Sequence, residues 1–136
     1  MQDKISRILS SSKTIAVVGL SANPMRPSYG VAEYMQENGY RIIPVNPAEE
    51  SILGEKSYPA LEAILEPVDC VDVFRKSDAV PEIVASAIAI GAKSVWLQEG
   101  VVHNEAAALA EAAGLDVVQD RCILKEHGAW KRPARG

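Results

Sequence analysis

The chain has 136 residues, 48% of them hydrophobic and 24% charged, which is enough for one globular domain with its own core. Its 14 basic and 18 acidic side chains leave a formal net charge of -4. The molecule as a whole therefore has no field to recruit a nucleic-acid backbone, and any anion site must be local. Cys70 and Cys122 are too few for a disulfide framework and lack metal-type spacing, which fits a reduced, cytoplasmic setting.

In chain order, Ile5, Ile8 and Leu9 mark a short leading helix that Ser10, Ser11 and Ser12 terminate, covering one edge or face of a sheet. This start lacks the apolar core of a signal peptide, and no later stretch approaches bilayer length, so a soluble, unprocessed protein without membrane contact is expected. Thr14 to Val18 is a nearly continuous apolar run, the pattern of a strand buried on both faces. Ser28 is the expected N-cap of a helix through Val31, Tyr34 and Met35, with Asn38-Gly39 as its stop. A second strand spans Tyr40 to Val45; Pro44 removes a ladder donor, and the strand should stop at Asn46-Pro47.

A turn at Ile52-Leu53-Gly54 and a short helical piece from Pro59 to Leu65 lead to a third strand, Val71 to Phe74. Asp78 is positioned to cap a helix with the stripe Ile83, Val84, Ala87 and Ile88, closed by Gly91. Lys93 to Leu97 follows as a strand, then an alanine-rich helix from Asn104 to Ala113, then a short strand from Asp116 to Val118. Asp120 would cap a last helical turn holding Arg121, Cys122 and Leu124. Lys131, Arg132 and Arg135 stand in what reads as a basic tail over 129–136, after one domain over 1–128.

Alternating strands and helices of these lengths require right-handed crossovers and a parallel sheet. The expected fold is α/β: a single doubly wound, Rossmann-like domain with a mostly parallel sheet of about five strands and helices on both faces. Ligands of such sheets collect at the carboxyl ends of the strands. The first strand delivers Gly19, Leu20, Ser21, Asn23 and Arg26, then Ser28, Tyr29 and Gly30 at the start of the helix. The second delivers Val45, Asn46 and Pro47, the third Phe74, Arg75 and Lys76, and the fourth Gln98, Glu99 and Gly100.

Glycine at the strand end permits a sharp turn, and unpaired N–H groups of a helix start, with hydroxyl, amide and guanidinium donors, suit a pyrophosphate. The dinucleotide fingerprint is incomplete, however, because Leu20-Ser21 follows Gly19 where a second glycine would stand. Strand two ends in Pro44-Val45-Asn46-Pro47 with no carboxylate to hold a ribose diol, and no Walker motif is present. An NAD(P)-binding oxidoreductase domain remains an alternative, disfavoured on both counts. Coenzyme A fits better, since its ribose carries a 3'-phosphate and needs no such carboxylate.

Five segments in order carry a resemblance: Val17 to Gly30, Gly39 to Pro47, Val71 to Arg75, Trp96 to Val101 and Asp120 to His127. They resemble the small stand-alone CoA-binding proteins, which are similar in fold to the CoA-binding domain of the succinyl-CoA synthetase alpha subunit. The resemblance implies that Gly19 to Gly30 wraps the CoA phosphates and that Val45, Asn46 and Pro47 border the adenosine. It further implies that Phe74 and Arg75 line the next strand end, and that Gln98, Glu99 and Gly100 lie toward the pantetheine. It transfers binding of CoA or a short acyl-CoA and not ligase chemistry, because the synthetase's second domain and partner subunit have no counterpart in this sequence.

No catalytic or metal residues stand out. His103 reads as a solvated helix-start residue and His127 as a residue near a solvated tail, while Glu33, Glu37, Glu62 and Glu82 read as a solvated face. Cys122 in the first turn of the last helix is a candidate for mixed-disulfide formation with a CoA thiol, against the plainer reading of a packing residue. A monomer or weak homo-oligomer is expected, and a ligand-sensing interaction protein is a further alternative.

Overall fold

A computed structural model of the chain describes residues 1–132, and Arg135 of the expected basic tail lies outside the described residues. Five parallel strands form the sheet: β1 (Thr14–Val18), β2 (Arg41–Val45), β5 (Cys70–Val73), β6 (Ser94–Leu97) and β7 (Asp116–Val118). A separate two-stranded hairpin joins β3 (Ser51–Ile52) to β4 (Glu55–Lys56). The sheet order is β2-β1-β5-β6-β7, so the chain builds outward from β1 on one side and then crosses to the other. The reversal leaves a crevice at the carboxyl ends of β1 and β5, where sheets of this order hold ligands.

Helices α1 (Gln2–Ser11), α2 (Pro27–Glu37) and α5 (Ile123–Lys131) pack on one face. Helices α3 (Val80–Ala89) and α4 (Asn104–Ala112) pack on the other. Strand alternation divides the core accordingly. Ala16, Val18, Val71, Val73, Val95 and Leu97 join the α3/α4 layer, whereas Ile15, Val17, Cys70 and Trp96 join the α1/α2/α5 layer. Trp96, fully buried, also donates its indole N–H to the Arg121 carbonyl at 2.8 Å, fixing the entry to α5. Pro44 is accommodated because β2 is an edge strand: its carbonyl accepts from Tyr58 N–H at 3.0 Å on the outer side, so its missing N–H interrupts no pairing with β1.

Several sequence expectations require correction. Helix α1 does end within the serine run, at Ser11 with Ser12 as its C-cap, and the Ser11 hydroxyl donates to the Arg7 carbonyl at 2.6 Å; other elements differ. The N-cap of α2 is Arg26, with Pro27 at the first helical position, because Ser28 Oγ instead accepts from Ser21 N–H at 3.0 Å. Asp78 lies inside a 3-10 turn, Ser77–Ala79, and Ala79 precedes α3. Asp120 sits at φ 58° and accepts from Gly100 N–H at 2.7 Å, leaving Cys122 as the N-cap of α5. The segment Pro59–Leu65 holds one 3-10 turn, Leu61–Ala63; the expected turn at Ile52-Leu53-Gly54 is present, with Leu53 and Gly54 at positive φ, and the short β3 and β4 strands that it joins are additional to the expected elements. Two-residue strands are too short to show a period, and a leucine at φ 55° is an unusual turn residue.

Both histidines are structural. His103 caps α4 by accepting Ala106 N–H on Nδ1 at 3.1 Å. His127 is 1% exposed, paired through Nδ1 with the Tyr34 hydroxyl at 2.9 Å and set edge-on to Tyr34 and Tyr40. Burial, with Lys131 nearby, pushes its pKa below the usual histidine value. Tyr34→Phe leaves that nitrogen without its partner, so a loss of about 1–2 kcal/mol in urea unfolding is expected. An unchanged midpoint and slope would show that the bond contributes nothing. Because α5 continues through Lys131, residues 129–131 of the expected tail are helical.

Candidate functional site

The sequence of β1 brings the chain to Gly19 at φ +88°, a left-handed conformation that only glycine adopts without strain. A Cβ there would lie 2.3 Å from the Phe74 carbonyl oxygen, so the ends of β1 and β5 approach too closely for any other residue. The loop that follows is held by its own side chains. Ser21 Oγ accepts from Asn23 N–H at 3.0 Å, Asn23 Oδ1 from Met25 N–H at 2.9 Å, and Ser28 Oγ from Ser21 N–H. The start of α2 and the preceding loop thus form one shaped unit. From the neighbouring strand, Asn46 Nδ2 donates to the Leu20 carbonyl at 3.0 Å, and its Oδ1 accepts from Ala48 N–H at 2.9 Å.

These elements enclose a cleft of about 730 Å³ at the strand ends. Of the residues expected from sequence, it is lined by Gly19, Ser21, Arg26, Ser28, Asn46, Phe74, Arg75, Lys76, Gln98 and Glu99. Leu20 and Val45 are buried beneath the wall, and Asn23, Tyr29, Gly30 and Gly100 are not part of it. Pro47 lies with Val45 on an adjoining hollow of about 420 Å³ near Pro59, Leu61 and Ile83, with Arg75 at the junction of the two. The cleft also contains Pro27, Val31 and Val101, which are absent from the expected set, and Cys122, expected only as a candidate partner for a CoA thiol. Val31 and Val101 carry no chemical signal in a sequence, and Cys122 reaches the wall where the entry to α5 is tied to β6 by the Trp96 indole N–H on the Arg121 carbonyl.

The electrostatics of the cleft are uneven. Arg26, Arg75 and Lys76 have no carboxylate partner among the described residues, unlike Arg41, which is bound to Glu66 and Glu55, or Arg7, bound to Asp116. Glu99 at the rim is matched by Lys125 at 3.1 Å. Behind the wall, Asp72 is completely buried; desolvation raises its carboxyl to about 7, while donation from Gln98 Nε2 and the Val73 N–H opposes the rise. No group of three or more His, Cys, Asp or Glu side chains suited to a metal ion occurs among the described residues. Among the same residues, no helix is long and apolar enough to cross a membrane.

A doubly wound parallel sheet with a glycine-cornered, cation-lined crevice at its switch point defines a Rossmann-like domain of the kind that holds nucleotide-derived ligands. Residues 13–128 match the CoA binding domain family, and the chain belongs to it. The uncharacterized protein YneT of Bacillus subtilis is 41% identical over 128 residues, covering 94% of this chain and 95% of YneT. An ADP-forming acetate--CoA ligase of Archaeoglobus fulgidus is 33% identical over 83 residues, 60% of this chain and 12% of the ligase. A solved structure of a hypothetical protein from Pyrococcus horikoshii superposes with a TM-score of 0.91 at 40% identity, covering 95% of this chain and 91% of that one.

Proposed function

We propose that this chain binds coenzyme A or a short acyl-CoA in the cleft at the β1 and β5 ends and has no ligase chemistry of its own. The observation that carries the reading is the convergence of Arg26, Arg75 and Lys76, without carboxylate partners among the described residues, on one preformed crevice of a net-acidic protein. Cations left unpaired around a glycine corner and a helix start match a ligand that brings several phosphate charges. Gln98 and Val101, farther along the cleft, supply a mixed polar and apolar wall for a pantetheine arm. Family membership and the match to part of a CoA ligase support the same ligand.

A thermal-shift series with CoA, dephospho-CoA, acetyl-CoA, NAD, NADP and ATP tests this directly. A ligand at a hundred times its Kd adds about 2.7 kcal/mol, a shift of several degrees. Stabilisation by NAD in preference to CoA would overturn the proposal. Arg75→Ala should weaken CoA binding about tenfold or more, the loss of one charge-assisted contact. Lys76→Ala, at an exposed position, should weaken binding while changing unfolding stability by no more than about 0.5 kcal/mol.

A further inference from the structure

A carboxylate inside a protein is expensive to keep charged, and its presence under a binding cleft calls for a physical account. Asp72 is on β5, 1% exposed, in register with Val17 of β1 on one side and Trp96 of β6 on the other. Strand alternation turns it toward α5. Its carboxylate accepts from Gln98 Nε2, and Gln98 Oε1 accepts from Ile123 N–H at 3.4 Å. Gln98 and the α5 cap Cys122 both line the cleft, so the acid connects to two separate parts of the wall through one amide.

We propose that Asp72 is a positioning residue for the cleft that takes up a proton when an anionic ligand binds, so that ligand affinity is linked to pH. This rests on the cleft being the CoA site. Bonded to the acid through Nε2, Gln98 is held with its carbonyl toward α5 and its amide plane fixed in the wall. Phosphates held in the cleft that Gln98 lines bring negative charge toward a buried carboxylate that no cation neutralises among the described residues. That charge favours the neutral carboxyl, with the proton drawn from solvent and no other bond made or broken.

The groups that bear on the acid are few. On its own strand the Cys70 thiol is fully buried and pushed up to about 12, hence uncharged at neutral pH. From β1 and β6 it meets the apolar Val17 and Trp96 in register. At the start of α5, Cys122 faces the cleft and Arg121 pairs with Glu126 at 3.4 Å. Arg26, Arg75, Lys76 and the Lys125-matched Glu99 stand at the cleft, and none is ion-paired with Asp72 among the described residues.

The test uses dephospho-CoA beside CoA, because the 3'-phosphate of CoA itself titrates near neutrality. In the wild-type protein the Kd for dephospho-CoA should rise with pH above neutrality, by up to about tenfold per pH unit, and Asp72→Asn should flatten that profile. Identical profiles in the two proteins would overturn the proposal. Calorimetry of the wild type in buffers of different ionisation enthalpy needs no variant: net proton uptake with dephospho-CoA near pH 7.5 supports the linkage, and zero uptake overturns it. Carbon-13 NMR of the ligand-free protein provides an arm independent of CoA, since an Asp72 carboxyl titrating near 4 would remove the basis for linkage. If neither CoA nor dephospho-CoA binds at any pH while Asp72 titrates near neutrality, the CoA reading itself fails and the linkage to it falls with it.

Discussion

Gly19→Ala is expected to destabilise the fold by about 3 kcal/mol or more and to abolish binding in the cleft. Two costs add at this position. A non-glycine residue at φ +88° carries backbone strain of about 1–2 kcal/mol. The new methyl would also lie 2.3 Å from the Phe74 carbonyl oxygen and 3.0 Å from Arg75 Cδ. The arginine stem can move, but the carbonyl belongs to the backbone at the end of β5 and can yield only by shifting the strand. Overpacking of this kind adds a further ~1–3 kcal/mol. Because Arg75 leaves the same corner, the displacement also misaims a cation of the cleft. Thermal unfolding should show a drop of about 10 °C or more. Gly30→Ala is the matched control: its Cβ meets nothing within 4 Å and lies inside α2, so the change should be neutral or stabilising by up to ~1 kcal/mol. Equal effects of the two substitutions would show that the close approach at Gly19 does not govern the fold.

The second large effect is in the pH dependence of stability. Burial raises the Asp72 carboxyl from 3.8 to about 7, so the folded protein retains a proton there that the unfolded chain has already released. Across that window stability falls as pH rises, by about 1.4 kcal/mol per unit, and the cost is fully present above pH 7. The total is about 4 kcal/mol at most, with relaxation around the acid reducing it. His127 acts with the opposite sign: its lowered pKa makes stability rise as pH climbs through the ordinary histidine range. Glu66 and Asp116, lowered by Arg41 and Arg7 respectively, lose their contribution only as the pH falls through the ordinary carboxylate range and below. The informative quantity is therefore the difference between Asp72→Asn and wild type in urea unfolding from pH 4.5 to 8.5, in which the histidine contribution cancels. That difference should grow in favour of the variant as pH rises. A difference independent of pH would mean that Asp72 titrates alike in folded and unfolded states.

The two effects meet at the same wall. Gly19 sets how closely the β1 loop approaches β5, and Asp72 lies two residues before the Phe74 carbonyl that limits this approach. Stability and the shape of the cleft are consequently coupled at the switch point.

Much of this was legible in the sequence because it depends on local periodicity. The run Thr14 to Val18 gave β1 with both bounds, and strand-helix alternation gave the parallel order of a doubly wound sheet. The rule that strand ends carry the ligand selected ten residues of the cleft wall. The resemblance of five ordered segments led to the CoA binding domain family. All of these signals sit within a few residues along the chain.

What the tertiary structure decided was how polar groups were divided among competing partners. Ser28 and Asp120 are both good cap residues by type, but a Ser21 N–H and a Gly100 N–H captured them, and Arg26 and Cys122 became the caps instead. His127 reads as a tail residue until α5 folds against α2 and places it against Tyr34. Asp72 reads as one polar residue in an apolar strand until the sheet closes over it and Gln98, 26 positions away, becomes its donor. Sequence by itself determined the five strands of the parallel sheet, the main helices and the end of the sheet where the cleft lies. Which donors and acceptors meet, and which acid is cut off from water, depends on contacts between distant segments, and local propensity carries no information about these.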